Sequence, residues 1–104
     1  MIAEISVSEL EQLIAAGAKV IDVRESDEFA AGHVPTAISI PLSTVQNRVD
    51  EFRYEGTVYV ICQSGGRSMR ACQYLEDFDI DNLVNIAGGT SGWIALGSDV
   101  VTGE

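Results

Sequence analysis

The sequence predicts an α/β protein in which a parallel sheet is covered by helices on both faces. Short apolar runs alternate with segments of helical spacing along all 104 residues, without an internal repeat or linker, which indicates one domain over residues 1–104. The clearest run, Val58–Ile61, has no polar position that could form a solvent face. Such a strand is typical of a sheet that is buried on both sides.

The first part of the chain predicts a short strand at residues 4–7 followed by a helix. Ser8 and Glu11 have the spacing of a capping box, and Gly17 ends the helix. Residues 19–24 then form an apolar run that ends in charge, which predicts a second buried strand. These elements are expected to serve as scaffold.

The middle of the chain predicts a helix over Ser26–Ala31 that ends at Gly32. A turn through Pro35 leads to a short strand at residues 37–40. We expect a further helix with Ser43 as its N-cap. Its apolar stripe would comprise Leu42, Val45, Val49 and Phe52.

The rest of the chain predicts two strands, each followed by a helix. After the strand at Val58–Ile61, a helix begins near Gly66 or Arg67, with Met69, Cys72, Leu75 and Phe78 on one face. A last strand at residues 83–86 precedes a terminal helix at residues 90–96. Trp93 is interpreted as a packing anchor of that helix.

Cys62 is the candidate catalytic residue because it lies where a buried strand ends. Gly65 and Gly66 follow and allow the backbone to turn successive N–H groups inward as an anion-binding nest. The N-terminus of the next helix adds a positive dipole end, and a cysteine pKa falls in such surroundings. Arg67 supplies a planar cation suited to sulfonate, sulfate or phosphate oxygens. Cys62 is therefore predicted to be a nucleophile that faces an oxyanion.

The other reactive side chains are interpreted as structural. Asp22 and Arg24 end a strand, where charged groups are usually fixed by local ion pairs, and Glu28 is the expected partner of Arg24. His33, the only histidine, lies in a turn and is not needed as a base by a thiolate that its loop already stabilises. Cys72 lies on the apolar face of its helix and is expected in the core.

Composition excludes several classes of function. Six Lys and Arg against sixteen Asp and Glu give a net charge of −10, so nucleic acid and anionic membranes are poor partners. Arg67 and Arg70 nevertheless follow Cys62 closely, which predicts a locally positive field for an anionic substrate. The two cysteines lack metal-binding spacing, and neither a metal nor a cofactor is predicted. With no signal peptide or membrane-spanning stretch in the sequence, a reducing cytoplasm is expected.

Three segments together resemble the single-domain rhodanese family of thiosulfate sulfurtransferases. They are residues 22–41, with Asp22-Val23-Arg24 and Gly32-His33-Val34-Pro35; residues 62–68, Cys62-Gln63-Ser64-Gly65-Gly66-Arg67-Ser68; and residues 87–93, Ala87-Gly88-Gly89-Thr90-Ser91-Gly92-Trp93. They occur in the family's order and span nearly the whole chain. Thr36 stands where the family usually has glycine.

The resemblance implies a three-layer α/β/α fold with a five-stranded parallel sheet. It also implies that Cys62 takes the outer sulfur of thiosulfate as a persulfide and passes it to a thiophilic acceptor such as cyanide or a thiol. A protein could serve as donor or acceptor instead. The implied substrate-binding residues are Gln63, Ser64, Gly65, Gly66, Arg67 and Ser68, with Arg67 neutralising the departing sulfite.

Two alternatives stay open at this point. A cysteine-dependent phosphatase or arsenate reductase also places an arginine after its nucleophile. Those phosphatase loops carry one residue more than the four between Cys62 and Arg67, so the shorter loop favours a single sulfur atom over a phosphate ester. The second alternative is a persulfide carrier or regulatory module that acts only with a partner protein.

Overall fold

The computed structural model describes residues 1–104 and contains five strands, four α-helices and two 3₁₀ segments. The strands and helices alternate as the sequence predicts. In chain order they are β1 (Ala3–Ser6), α1 (Val7–Ala15), β2 (Lys19–Asp22), α2 (Ser26–Ala31), β3 (Ile38–Ser39), the 3₁₀ segments Leu42–Asn47 and Val49–Phe52, β4 (Val58–Ile61), α3 (Gly66–Glu76), β5 (Leu83–Ala87) and α4 (Gly89–Ala95).

All neighbouring strands are parallel, and their order in the sheet is β1-β5-β4-β2-β3. β4 is therefore the middle strand. Its Val60 lies opposite Ile21 of β2 on one side and Asn85 of β5 on the other. Because all strands point the same way, the residues after β4, β2 and β5 meet at one edge of the sheet, where such folds bind ligands.

The side chains of β4 alternate between two cores, one on each face of the sheet. Val60 packs with α3 and the 3₁₀ segments in a cluster of 13 buried residues. Ile61 packs with α1 and α4 in a cluster of six that includes Leu10 and Trp93. The predicted α/β class and its three-layer arrangement are thus confirmed. Trp93 is a packing residue, with 3% of its surface exposed and its indole N–H donating to the Asp99 carbonyl.

Two predicted helices differ from the sequence-based expectation. The capping box of α1 uses Ser6 and Glu9, two residues earlier than expected, because β1 ends at Ser6 and its hydroxyl accepts from the Glu9 N–H. The helix expected after Pro41 is instead two 3₁₀ segments, interrupted at Arg48. Within each segment the apolar residues are three apart, which matches the three residues per turn of a 3₁₀ helix.

The apolar face of α3 also differs in part from the prediction. Its buried residues are Ser68, Ala71, Cys72 and Leu75. Phe78 lies beyond the end of the helix and is 39% exposed, so it belongs to the surface. Cys72 is fully buried in the core, as the sequence predicts. None of the helices is both long and apolar enough to cross a membrane.

The turn at Thr36 departs from ordinary backbone preferences. The Ala37 N–H donates to the Val34 carbonyl, Pro35 is the second residue of this turn, and Thr36 is the third with a φ of 71°. This is the geometry of a type II turn, which favours glycine at the third position. A β-branched residue is strained there because its Cβ crowds the backbone.

Thr36→Gly is therefore expected to stabilise the protein by about 0.5–1 kcal/mol, the strain relieved less the backbone entropy that glycine adds. Denaturant titration followed by circular dichroism would measure the gain. Thr57→Gly is the matched control, because Thr57 is also exposed but has no positive φ, and its replacement should destabilise. A loss of stability in Thr36→Gly would contradict the strain.

Candidate active site

Cys62 directly follows the middle strand β4, at the carboxyl edge of the sheet. Only 1% of its surface is exposed, and its thiol is not in a disulfide. Its side chain belongs to the core cluster on the α3 side, so the sulfur lies between the end of the sheet and the first turn of α3. The structure thus fixes the position of this thiol on two rigid elements.

The loop after Cys62 directs two hydrogen-bond donors at its sulfur. Gly65 has a φ of 111°, a left-handed conformation that favours glycine, and its N–H donates to Cys62 Sγ at 3.1 Å. The Ser68 hydroxyl, in the first turn of α3, approaches the same sulfur at 3.3 Å. Gly66 begins the helix, and Ser64 is exposed. Of the loop N–H groups that the sequence predicts to turn inward, that of Gly65 donates to the sulfur, and the Ser68 hydroxyl is a further donor.

The loop also determines the charge state of the thiol. Burial, the largest single influence, acts to raise the pKa of Cys62. Hydrogen bonds from the Ser68 hydroxyl and from backbone N–H groups of the loop together outweigh it, so the pKa lies below its ordinary value. Cys72 lacks such donors, and burial raises its pKa to about 12. Of the two cysteines, Cys62 alone is prepared to react as a thiolate.

Arg67 forms an ion pair with Glu28. Its two terminal nitrogens donate to the two carboxylate oxygens at 2.8 and 2.9 Å. The guanidinium beside Glu28 holds the pKa of that carboxyl at about 2. The expected pairing of Glu28 with Arg24 is therefore wrong: α2 places Glu28 beside the start of α3, where Arg67 lies.

Arg24 pairs with Asp22 instead. The two side chains are 4% and 0% exposed, and the guanidinium NH2 group approaches the carboxylate at 2.9 Å. Arg24 also donates to the Gly32 carbonyl at 2.8 Å and to the Gln63 side chain at 3.2 Å. The predicted structural role of Asp22 and Arg24 is confirmed, and this buried network orients Gln63 within the active-site loop.

His33 is also structural, as expected. Its ring stacks on Phe29 with centroids 3.6 Å apart, and its Nδ1 atom is 2.8 Å from the Phe29 carbonyl oxygen. Its backbone pairs with Val101 in an antiparallel bridge. One ring face, the Nδ1 atom and the backbone of His33 thus all help to hold the turn after α2.

The start of α4 supports the active-site loop from behind. The Thr90 and Ser91 N–H groups donate to the Cys62 and Gln63 carbonyls at 2.9 and 3.0 Å. Gly89 has a φ of 57°, and a Cβ there would lie 2.5 Å from the Cys62 carbonyl oxygen. Sequence reasoning assigned no role to these residues, although consecutive glycines directly after a strand signal a close backbone approach.

Asn85 is a second support that the sequence did not reveal. It is fully buried in β5, and its amide NH2 donates to the Gly65 carbonyl at 3.2 Å and to the Glu4 carboxylate at 2.7 Å. The hydrogen bond from Asn85 therefore holds Gly65, the left-handed residue of the loop, against the sheet. The feature of the sequence that could have indicated this role is a single polar residue inside an otherwise apolar strand.

Ser68→Ala is expected to raise the pKa of Cys62, because it removes a hydrogen bond that favours the thiolate. At neutral pH less of the thiol would be ionised, and alkylation by iodoacetamide should slow several-fold. The rate of Cys62 modification, followed by peptide mass spectrometry between pH 5 and 10, measures the change; the midpoint should move to higher pH.

Ser64→Ala is the matched control. Ser64 acts on Cys62 through its backbone N–H, which alanine retains, so the pH midpoint should not move. Equal pH midpoints for Ser68→Ala and the protein without substitutions would show that the Ser68 hydroxyl does not stabilise the Cys62 thiolate.

Comparisons with known proteins connect this geometry to a family. The family model described as "Rhodanese-like domain" matches residues 6–96. The chain is 32% identical over 106 residues to a protein of Allochromatium vinosum named "Sulfurtransferase", covering 100% of this chain and 99% of that protein.

Two proteins of Bacillus subtilis are also similar. The uncharacterized protein YqhL is 42% identical over 76 residues, or 73% of this chain and 60% of that protein. The putative sulfur carrier protein YrkF is 31% identical over 94 residues, which cover 88% of this chain and 51% of that protein. The chain spans less than two thirds of the length of both relatives.

Solved structures agree with the architecture. A rhodanese-related protein from Thermoplasma volcanium superposes with a TM-score of 0.88 at 32% identity, covering 97% of this chain and 99% of that one. The five-stranded sheet and its helices therefore follow a known arrangement over nearly their whole length.

Proposed function

Because this chain belongs to the rhodanese-like domain family, we propose that it is a sulfurtransferase that carries sulfane sulfur as a persulfide on Cys62. One observation carries the proposal: the sulfur of Cys62 accepts hydrogen bonds from the Gly65 N–H and the Ser68 hydroxyl, and its pKa is lowered. These donors would stabilise the attacking thiolate and the terminal sulfur of a persulfide alike.

In the first half-reaction the Cys62 thiolate attacks the outer sulfur of thiosulfate. A new S–S bond forms to Cys62, the S–S bond of thiosulfate breaks, and sulfite leaves with the bonding electrons. Arg67, part of whose side chain is exposed, is the cation that would neutralise the sulfite oxygens. The loop N–H groups from Gln63 to Ser68 would hold the persulfide, so the reaction requires no cofactor.

In the second half-reaction a thiophilic acceptor removes the outer sulfur. Cyanide would leave as thiocyanate, and a thiolate would leave as a persulfide. The Cys62 thiolate is regenerated as the leaving group, and its lowered pKa makes it a good one.

The direct test is mass spectrometry of the protein after incubation with thiosulfate and then with cyanide. We expect one added sulfur on the Cys62 peptide, which cyanide removes as an equal amount of thiocyanate. A folded protein with a free thiol that gains no sulfur would contradict a thiosulfate sulfurtransferase. An assay with an aryl phosphate would then test the phosphatase alternative.

Glu28→Gln is expected to raise kcat/KM for thiosulfate several-fold. The substitution removes a carboxylate that competes with the anionic donor for Arg67, since both Arg67 nitrogens now bind Glu28. Arg67→Ala should lower the same constant, mainly through KM. Steady-state thiocyanate formation at several thiosulfate concentrations measures both changes.

Glu25→Gln is the control for charge alone. Glu25 is the N-cap residue of α2, and its side chain contacts Ser43 rather than Arg67, so the variant should retain the original kcat/KM. If kcat/KM falls in Glu28→Gln as much as in Arg67→Ala, the role of Glu28 is instead to orient Arg67.

A persulfide carrier that discharges only to a protein is the second candidate. Two observations favour it: Arg67 is engaged by Glu28, and the relative YrkF is named a putative sulfur carrier. Discharge of the Cys62 persulfide by cyanide or a small thiol at a useful rate, with no added protein, would exclude this candidate.

A further inference from the structure

A groove with apolar walls runs beside α3, and none of the active-site loop residues 62–68 lines it. Leu42 and Val45 of the first 3₁₀ segment form one wall, and Ala71 and Tyr74 of α3 form the other. Arg70 also lines this groove, whose volume is about 370 Å³. We call it the α3 groove; its size suits a small organic molecule.

Arg70 is the only basic side chain of the protein without an electrostatic partner. The other arginines each pair with a carboxylate, and the Lys19 ammonium lies 4.7 Å from the centre of the Tyr54 ring. In a chain with sixteen acidic residues and a net charge of −10, an unpaired guanidinium beside apolar walls is unusual. It complements a ligand that carries one anionic group on an apolar body.

The α3 groove leads towards the active-site loop. Arg67, Arg70, Ala71 and Tyr74 are spaced at i, i+3, i+4 and i+7, so they share one face of α3. On the opposite wall, the Ser43 hydroxyl donates to Glu25, the N-cap residue of α2, and Glu28 in the first turn of that helix pairs with Arg67. One end of the groove therefore adjoins the Arg67–Glu28 pair, at the start of α3.

We propose that the α3 groove binds the sulfur acceptor, a thiol on a short apolar chain that ends in a carboxylate. The carboxylate pairs with Arg70, the chain lies along the apolar walls, and the thiol reaches the Cys62 persulfide. Arg70 lies three residues beyond Arg67, roughly 4.5 Å along the helix axis, so a chain of about five methylene groups can extend from Arg70 back to the start of α3. This inference rests on the proposed function.

The transfer step is balanced without another reactant. The acceptor thiolate attacks the outer sulfur of the Cys62 persulfide, a new S–S bond forms on the acceptor, and the bond between that sulfur and Cys62 breaks. Cys62 leaves as the thiolate, and the proton of the persulfide remains on the sulfur that is transferred. No oxidant or reductant is consumed, because one S–S bond replaces another.

The test compares 6-mercaptohexanoate with 6-mercaptohexanol in single-turnover discharge of the persulfidated protein. We expect the carboxylate-bearing thiol to react about fivefold faster at low concentration, the size expected of a partly exposed ion pair. Arg70→Gln should abolish this preference. Discharge by 6-mercaptohexanol, which has no carboxylate to pair with Arg70, should be unchanged in that variant.

Arg53→Gln is the matched control, since it makes the same change of charge at an exposed arginine that does not line the groove. Its preference for the carboxylate should be retained. Equal rates for the two thiols in the protein without substitutions would overturn the proposal. So would a loss of the preference for the carboxylate in Arg53→Gln as large as that in Arg70→Gln. A change of oligomeric state in Arg70→Gln, measured by light scattering, would instead make the groove a contact between copies.

A binding measurement separates failure of this inference from failure of the proposed function. Hexanoate has no thiol, so its binding does not require a persulfide. Titration followed by NMR should shift the Tyr74 ring resonances, and Arg70→Gln should remove the shift. If Cys62 accepts no sulfur but hexanoate binds, the proposed function fails and the α3 groove remains a binding site. If hexanoate does not shift the Tyr74 resonances, the α3 groove is not a binding site and this inference is overturned.

Discussion

Cys62→Ala is expected to lower thiosulfate:cyanide sulfur transfer by roughly a thousandfold or more, because the atom that accepts the sulfur is gone. The fold should persist, since Cys62 contributes one small side chain to a core of 13 residues. Thiocyanate formation measures the loss, and circular dichroism verifies the fold. An active Cys62→Ala protein would refute the persulfide mechanism outright.

Cys72→Ala is the control for this prediction. Cys72 is equally buried, but its pKa is raised to about 12 and its thiol faces the core. The variant should transfer sulfur at nearly the original rate and lose about 1 kcal/mol of stability, or somewhat more, from the smaller side chain. A collapse of activity in both variants would point to the core rather than to the nucleophile.

Gly89→Ala is expected to destabilise the protein by roughly 3 kcal/mol and to impair sulfur transfer as well. Its Cβ would lie 2.5 Å from the Cys62 carbonyl oxygen and 2.6 Å from atoms of the Gln63 peptide, none of which is a flexible side chain. The positive φ of 57° adds backbone strain. Chemical denaturation and the persulfide loading rate measure the two effects.

Gly92→Ala provides the matched comparison within α4. A Cβ at Gly92 would be 3.4 Å from the Val7 side chain, an ordinary contact, and the residue has no positive φ. Because alanine favours a helix over glycine, this variant should be as stable as the parent or slightly more stable. Similar losses of stability in Gly89→Ala and Gly92→Ala would mean that α4 tolerates no added side chain at either position. The close contact between Gly89 and the Cys62 loop would then not be the cause.

The features that the sequence predicted well depend on local patterns. Val58–Ile61 was recognisable as a strand because it is uniformly apolar, and Ser26–Ala31 has the bounds expected from its acidic start and Gly32. The nest around Cys62 follows from glycines between a strand and a helix. In each case neighbouring residues alone carry the physical constraint, so no knowledge of distant contacts was necessary.

The features that escaped prediction depend on contacts between distant segments. Whether Glu28 pairs with Arg24 or Arg67 is decided by how α2 meets α3, because Glu28 and Arg67 are 39 positions apart in the sequence. The approach of Gly89 to Cys62 depends on β5 lying beside β4. The interrupted helix after Pro41 shows a further limit, because three-residue apolar spacing fits an α-helix or a 3₁₀ helix.

The contacts between the start of α4 and the Cys62 loop have a consequence for biosynthesis. A ribosome makes Cys62 well before Thr90, which lies 28 residues later and donates to the Cys62 carbonyl. Proteins are synthesised from the N-terminus, so a nascent chain that ends before α4 has its cysteine but not the support of its loop. The pKa of the Cys62 thiol should therefore reach its lowered value only after α4 has been made and has packed against the loop.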